Sequence, residues 1–262
     1  MRNIKSEWIK FRSLKTSFIL LWGIPIVIVS LFAFLQMTAF LSRVNNPEMT
    51  EDTINFVKSS GGIFGMMSEI HLFLQFILAI FMIKIVTDEF QYGTMQGTVL
   101  ATPRRGKVVA AKLIFAGVFA VVYTAIIHLY AFFIANLLQA GQLDNASISS
   151  QLIDALPVLL CNIVAYVLFT FFSIGIAFLV RNFAVAVIIM LASSIFLHMG
   201  LMLIRGNLEN TVFSKITNII VQSGFEDTFY GGSNFIFGII VLGVWTILSV
   251  TAGFLAFQKK DI

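Results

Sequence analysis

Two groups of residues in this sequence could do chemistry. The first is a polar stretch between apolar runs, Thr87-Asp88-Glu89-Phe90-Gln91-Tyr92-Gly93-Thr94, which continues through Leu100 to Pro103. Asp88 followed three residues later by Gln91 has the spacing of a capping box, in which side chains satisfy the free N–H groups of a helix start. A short helix is therefore expected to begin at Asp88. Glu89 would lie in its first turn, where the helix dipole favours a carboxylate. Pro103 would end it by holding Thr102 in extended geometry. Such a body could present Gln, Thr and apolar side chains to a partner, or it could be a tight interfacial turn; the caps suit both.

The second group is sparse polarity inside apolar runs. Asn162, Tyr166, Thr170 and Ser173 recur at i, i+4, i+8 and i+11, which is one face of a helix. His128 follows Thr124 at i+4, and His198 follows Ser194 in the same way. These side chains could join helices by hydrogen bonds, worth about 0.6 kcal/mol on average and up to about 2 kcal/mol. They could equally give a weakly polar lining to a path for an amphiphile. The histidines form no HxxxH or His/carboxylate pair, so no metal site is expected, and no Ser/His/Asp spacing marks a nucleophile. A phosphate-cradling G-x-x-x-x-G-K-[ST] loop is missing as well, because Gly106-Lys107 is followed by Val108 and preceded at the needed distance by Ala101. The chain is therefore not expected to bind ATP in that way, and no cofactor is expected in it.

The elements that must position these residues follow from composition. The chain has 262 residues, of which 58% are hydrophobic and 11% charged, with a mean hydropathy of +0.94. A soluble domain carries about 25% charged residues, so the expected solvent is lipid, where backbone polar groups must be satisfied internally. The apolar runs are continuous and lack the alternation of a membrane β-barrel. The expected fold class is therefore all-α integral membrane, one transmembrane domain over 1–262 with six transmembrane helices at about 18–41, 70–86, 108–138, 152–180, 183–204 and 234–257. The first run is too long for a signal-peptide core and lacks an A-x-A-like exit, so it reads as an uncleaved span. A single cysteine, Cys161, rules out an intramolecular disulfide.

Lysine and arginine orient the spans, since cytosolic flanks accumulate them. With the N-terminus inside, Arg2, Lys5, Lys10, Arg12, Lys15, Arg104, Arg105, Lys107, Lys112, Arg181, Lys259 and Lys260 fall on inner segments, against Arg43, Lys58, Arg205 and Lys215 outside. Lys84 lies near the inner end of the second span, where it can snorkel. Both termini are thus expected in the cytosol. Residues 2–15 read as an amphipathic interfacial helix on membrane lipid, with Ile4, Trp8 and Phe11 on one face and basic residues on the other. Before the last span, Val212, Phe213, Ile216, Ile219 and Ile220 form an apolar face suited to a re-entrant element.

The segments Glu89-Phe90-x-x-Gly93-Thr94, Leu100-Ala101-Thr102-Pro103-Arg104 and Lys112-Leu113 resemble the loop after the second span of type-2 ABC exporter permeases. Glu7-Trp8-x-Lys10-x-Arg12-Ser13 is similar to the elbow helix of those permeases, and the ending Phe257-Gln258-Lys259-Lys260-Asp261-Ile262 resembles theirs. The resemblance implies a bacterial cytoplasmic-membrane subunit that pairs with a second permease copy or relative and with a cytosolic ATP-binding cassette subunit. It also implies a coupling segment over 88–105, with Asp88, Glu89, Gly93, Thr94, Leu100 and Pro103 engaging that ATPase. The cargo would be a hydrophobic or amphipathic peptide, lipid or drug moved outward; nucleic acid is not an expected partner. An ion-coupled secondary transporter or channel would instead place charges mid-membrane or break helices in matching halves. A non-transporting scaffold would leave the capped loop unexplained.

The topology predicts that, in a Cys161→Ala background, Arg105→Cys and Lys260→Cys will resist a membrane-impermeant thiol reagent in intact cells and react after permeabilisation. Labelling of either in intact cells contradicts it.

Overall fold

In a computed structural model of the chain, residues 15–44, 68–101, 105–139, 148–204 and 233–259 are described. They form seven helices and, among the described residues, no strand: α1 Lys15–Val44, α2 Ser68–Gln91, α3 Thr94–Ala101, α4 Arg105–Gln139, α5 Ile148–Val180, α6 Phe183–Ile204 and α7 Ser233–Lys259. The expected interfacial helix over 2–15 lies outside the described residues except for Lys15, which begins α1; the re-entrant face over 212–220 and Pro103 lie outside them too. Within α4, α5 and α7, the stretches Arg105–Ile134, Leu159–Val180 and Leu242–Lys259 are long and apolar enough to cross a membrane. Shorter apolar stretches, Leu21–Leu35 and Phe183–Ser193, occupy α1 and α6.

The exterior of the bundle is apolar, unlike that of a water-soluble one, and some polar side chains are buried. Val27, Leu31 and Phe34 on α1, Val118, Leu129 and Phe133 on α4, Ile188 on α6 and Ile247 on α7 face outward, while Thr124, His128, Asn162, Thr170, Ser173 and Thr246 are buried. Lipid tails are as apolar as leucine, so burying apolar groups gives little drive for helix association there; packing and hydrogen bonds between helices supply it instead.

α5 is the hub, packed against α7, α4, α2 and α6. Its approach to α7 is the closest. Thr246 Oγ1 donates to the Leu168 carbonyl at 3.0 Å, and Ser249 Oγ to the Phe172 carbonyl at 2.8 Å. One turn further, a Cβ on Gly253 would fall on the Gly175 carbonyl oxygen, and a Cβ on Gly175 would lie 2.7 Å from the Ser249 carbonyl oxygen. Only hydrogen at these two positions lets the backbones approach, the usual role of small residues between membrane helices.

Gly253→Val should force α5 and α7 apart and destabilise the bundle by roughly 1–3 kcal/mol, the usual cost of overpacking. A detergent melting profile followed by size-exclusion chromatography checks this; an unchanged profile removes the close approach.

Candidate functional site

The sequence-predicted helix start at Asp88 is not observed. α2 runs through it, and Asp88, Glu89 and Gln91 form the last turn of α2, closed by Tyr92 N–H donating to the Asp88 carbonyl at 2.9 Å. The stop is Gly93, in the left-handed region at φ 69°, a conformation that favours glycine and ends many helices. α3 begins at the next residue. Glu89 thus lies not in a first turn but near a helix C-terminus, where the dipole disfavours a carboxylate.

Lysines offset that disadvantage. Asp88 pairs with Lys84 at 2.9 Å, one turn back on α2, and the Lys84 ammonium also sits 5.7 Å from the Phe183 ring centroid. Glu89 Oε1 accepts from Lys112 Nζ of α4 at 2.7 Å, with the Lys112 and Glu89 side chains only 3% and 8% exposed. Removing one partner of such a pair leaves a buried charge uncompensated, typically at a cost of about 3–5 kcal/mol. Thr94 Oγ1 donates to the Glu89 carbonyl at 3.4 Å, satisfying one of the acceptors left open at the end of α2.

The ends of α5 and α7 join the same cluster. Arg105, the first residue of α4, donates from Nη1 to the Phe257 and Gln258 carbonyls of α7, both at 2.8 Å. Arg181 Nη2 reaches the Ala256 carbonyl at 3.2 Å. Guanidinium groups at a helix C-terminus satisfy its open carbonyls and complement its dipole. Arg181 itself ends α5 in the left-handed region at φ 60°, a conformation costing an L-residue roughly 1–2 kcal/mol; Asn182 then caps α6 by accepting from the Val185 N–H at 3.2 Å. Burial, and after it the nearby Arg105 charge, lower the Arg181 pKa from its ordinary value. Beneath these cations Phe90, Phe178 and Phe257 meet edge to face, with centroids 5.2 to 6.0 Å apart, and the Arg181 guanidinium lies 5.0 Å from the Phe90 ring centre.

α3 rides on this cluster. Met95 is fully buried, whereas Gln96, Gly97 and Ala101 are exposed, Leu100 is 84% exposed and Tyr92 is 73% exposed. Of the residues expected to engage a partner, Gly93, Thr94 and Leu100 are at the surface, Asp88 is half-buried in its ion pair, and Glu89 is inside.

Asn162, Tyr166, Thr170 and Ser173 are all buried on α5. Asn162 Nδ2 lies 2.6 Å from His128 Nε2 of α4, and His128 Nδ1 donates to the Thr124 carbonyl at 2.8 Å. The Tyr166 and His128 rings meet edge to face at 6.2 Å. Ser173 binds its own helix, at the Phe169 carbonyl. The side chain of His198 lies outside the described residues.

Sequence reasoning did not assign Lys112, Arg105 or Arg181 these roles. The signal for Lys112 was legible: a lysine one helical turn inside an apolar run is costly without a carboxylate, and Glu89 is an acidic residue at the membrane edge of the preceding run. Nothing in the sequence says that Arg105 and Arg181 converge on α7.

A family model described as "ABC-2 family transporter protein" matches residues 3–197, a stretch that takes in the whole Glu89–Lys112 cluster and stops before α7. No curated protein matches the chain significantly.

The His128–Asn162 bond should be worth roughly 0.5–2 kcal/mol in a double-mutant cycle of His128→Phe and Asn162→Leu, read from unfolding in mixed detergent. Additive single effects place the bond outside the bundle's stability.

Proposed function

Since this chain belongs to the ABC-2 transporter family, we propose that it is the permease subunit of an ATP-driven exporter, with α3 as the element that docks a separate cytosolic ATPase. The observation that carries the reading is the exposed face of α3. A large apolar side chain, Leu100, stands out at the end of the bundle where Lys84, Arg105, Lys112, Arg181 and Lys259 gather. Under the positive-inside rule that end is cytosolic, so Leu100 and Tyr92 face an aqueous compartment, where a protein partner would cover them. Six spans with both termini in the cytosol fit this placement: α3 then lies between the second and third spans, and the two-residue turn Arg181-Asn182 between the fourth and fifth.

The buried Glu89–Lys112 pair and the α7 clamp make the base of α3 stiff, as an element transmitting a nucleotide-driven movement requires. An apolar exterior with few interior polar groups suits a hydrophobic or amphipathic substrate, moved outward from the cytosol or inner leaflet. ATP belongs to the partner, because this chain has no Gly-rich phosphate loop. A second copy of the chain or a related permease would complete the pathway.

Affinity purification under mild detergent should recover an ATPase subunit with the native chain. Leu100→Asp should reduce its recovery at least about tenfold, the effect of removing an apolar anchor from the centre of an interface, while leaving the bundle folded. Recovery unchanged by Leu100→Asp, or no ATPase with the native chain, contradicts the assignment.

A further inference from the structure

α3 is built as a swivel that has been locked. It joins α2 through Tyr92-Gly93, and Gly93 sits in the left-handed region with open space around the position of a Cβ. Eight residues are fewer than the roughly 12–15 that an isolated helix needs to hold itself together, so contacts must fix the orientation of α3. Met95 plugs into the core, and two bonds converge on Glu89. Its carbonyl accepts from Thr94 at the start of α3, and its carboxylate accepts from Lys112 on α4. One residue thus holds the near foot of the loop through its backbone and the far foot through its side chain. The chain between them is closed into a loop by an ion pair from which water is excluded.

Glu89 is therefore not placed to touch a docked subunit. Its side chain is buried, while the surface of α3 is formed by Gln96, Gly97, Leu100 and Ala101. From this division we infer that the Glu89–Lys112 ion pair is a positioning clasp that makes α2, α3 and α4 move as one body, leaving partner contact to the outer face of α3. The inference rests on the reading of α3 as the ATPase-facing element. A push on α3 would then reach the second and third spans together. Without the clasp, α3 would turn about Gly93 and the joint would absorb the displacement.

A pair kept only for stability and a pair kept for position respond differently to removal of both charges. In Glu89→Leu/Lys112→Met no charge or unpaired amide is left buried, and such apolar replacements of a buried pair are often neutral for stability; the fixed orientation of α3 is lost all the same. The experiment uses the full chain in lipid nanodiscs, Cys161→Ala, with spin labels at Gln96→Cys on α3 and Lys107→Cys on α4, read as a distance distribution beside a thermal melt. The parent should give one narrow distance, and so should Lys112→Arg, which keeps the charge and the reach. The neutral double variant should melt like the parent and lose the single narrow distance. Glu89→Asp, which keeps the charge and shortens the reach, gives the same test if the neutral pair does not fold. A narrow distance retained in whichever of these variants folds overturns the clasp.

A second arm uses the complex with its co-purified ATPase. The neutral double variant should retain the ATPase as the parent does but show no change in label distance on vanadate trapping with ATP. Loss of the ATPase itself would instead make Glu89 a docking residue and overturn the division of roles. If no ATPase accompanies the parent, the docking assignment of α3 fails while the nanodisc distances still decide the clasp.

Discussion

Glu89 and Lys112 are opposite charges held where water does not reach, and such a pair tolerates neither a missing partner nor much displacement, because their mutual attraction is what offsets the desolvation of both. Their 2.7 Å separation therefore sets how far the end of α2 can lie from the first turns of α4. The neighbouring interactions agree with that spacing. Thr94 folds back onto the Glu89 carbonyl, Phe90 turns away into the rings of Phe178 and Phe257, and Arg105 at the head of α4 takes up the carbonyls that end α7. Four helix ends are joined at one end of the bundle by an ion pair and by guanidinium–carbonyl hydrogen bonds.

Two left-handed residues do matching work there with different chemistry. Gly93 and Arg181 end α2 and α5 with φ values of 69° and 60°. Glycine adopts this conformation at little cost and brings no side chain to anchor it. Arginine adopts it against steric preference, yet its side chain spans from the α5–α6 turn to the Ala256 carbonyl and across the Phe90 ring. The flexible kind of joint thus stands where α3 meets α2, and the anchored kind where α5 meets α6. That contrast explains why the orientation of α3 has to be set by interactions outside its own backbone.

Along the rest of the bundle the same scarcity of water is met by hydroxyl and amide groups. His128 and Asn162 satisfy one another between α4 and α5, Ser249 and Thr246 bond across to α5, and Gly175 and Gly253 let those backbones come close enough to do so. On the polar face of α5, Asn162 and Ser173 are hydrogen-bonded within the chain.

Much of this was open to reading in the sequence, because lipid solvent makes hydropathy and composition decisive: the all-helical class follows from continuous apolar runs and too few charges to cover a soluble globule, and the family resemblance follows from the motif around Glu89, Gly93 and Thr94. The i, i+4, i+8, i+11 face of α5 was likewise legible, since helical periodicity is local. The end of α2 was misread for an instructive reason. Asp88 and Gln91 have the spacing of a helix start, but the backbone ladder continued through them and yielded only at Gly93, the residue able to take a left-handed turn without strain. A local pattern of side chains cannot reveal whether the preceding helix has already satisfied the backbone. The partners of Arg105 and Arg181 were decided by tertiary structure alone, because residues 152 and 75 positions apart meet only when packing has brought the ends of α4, α5 and α7 together.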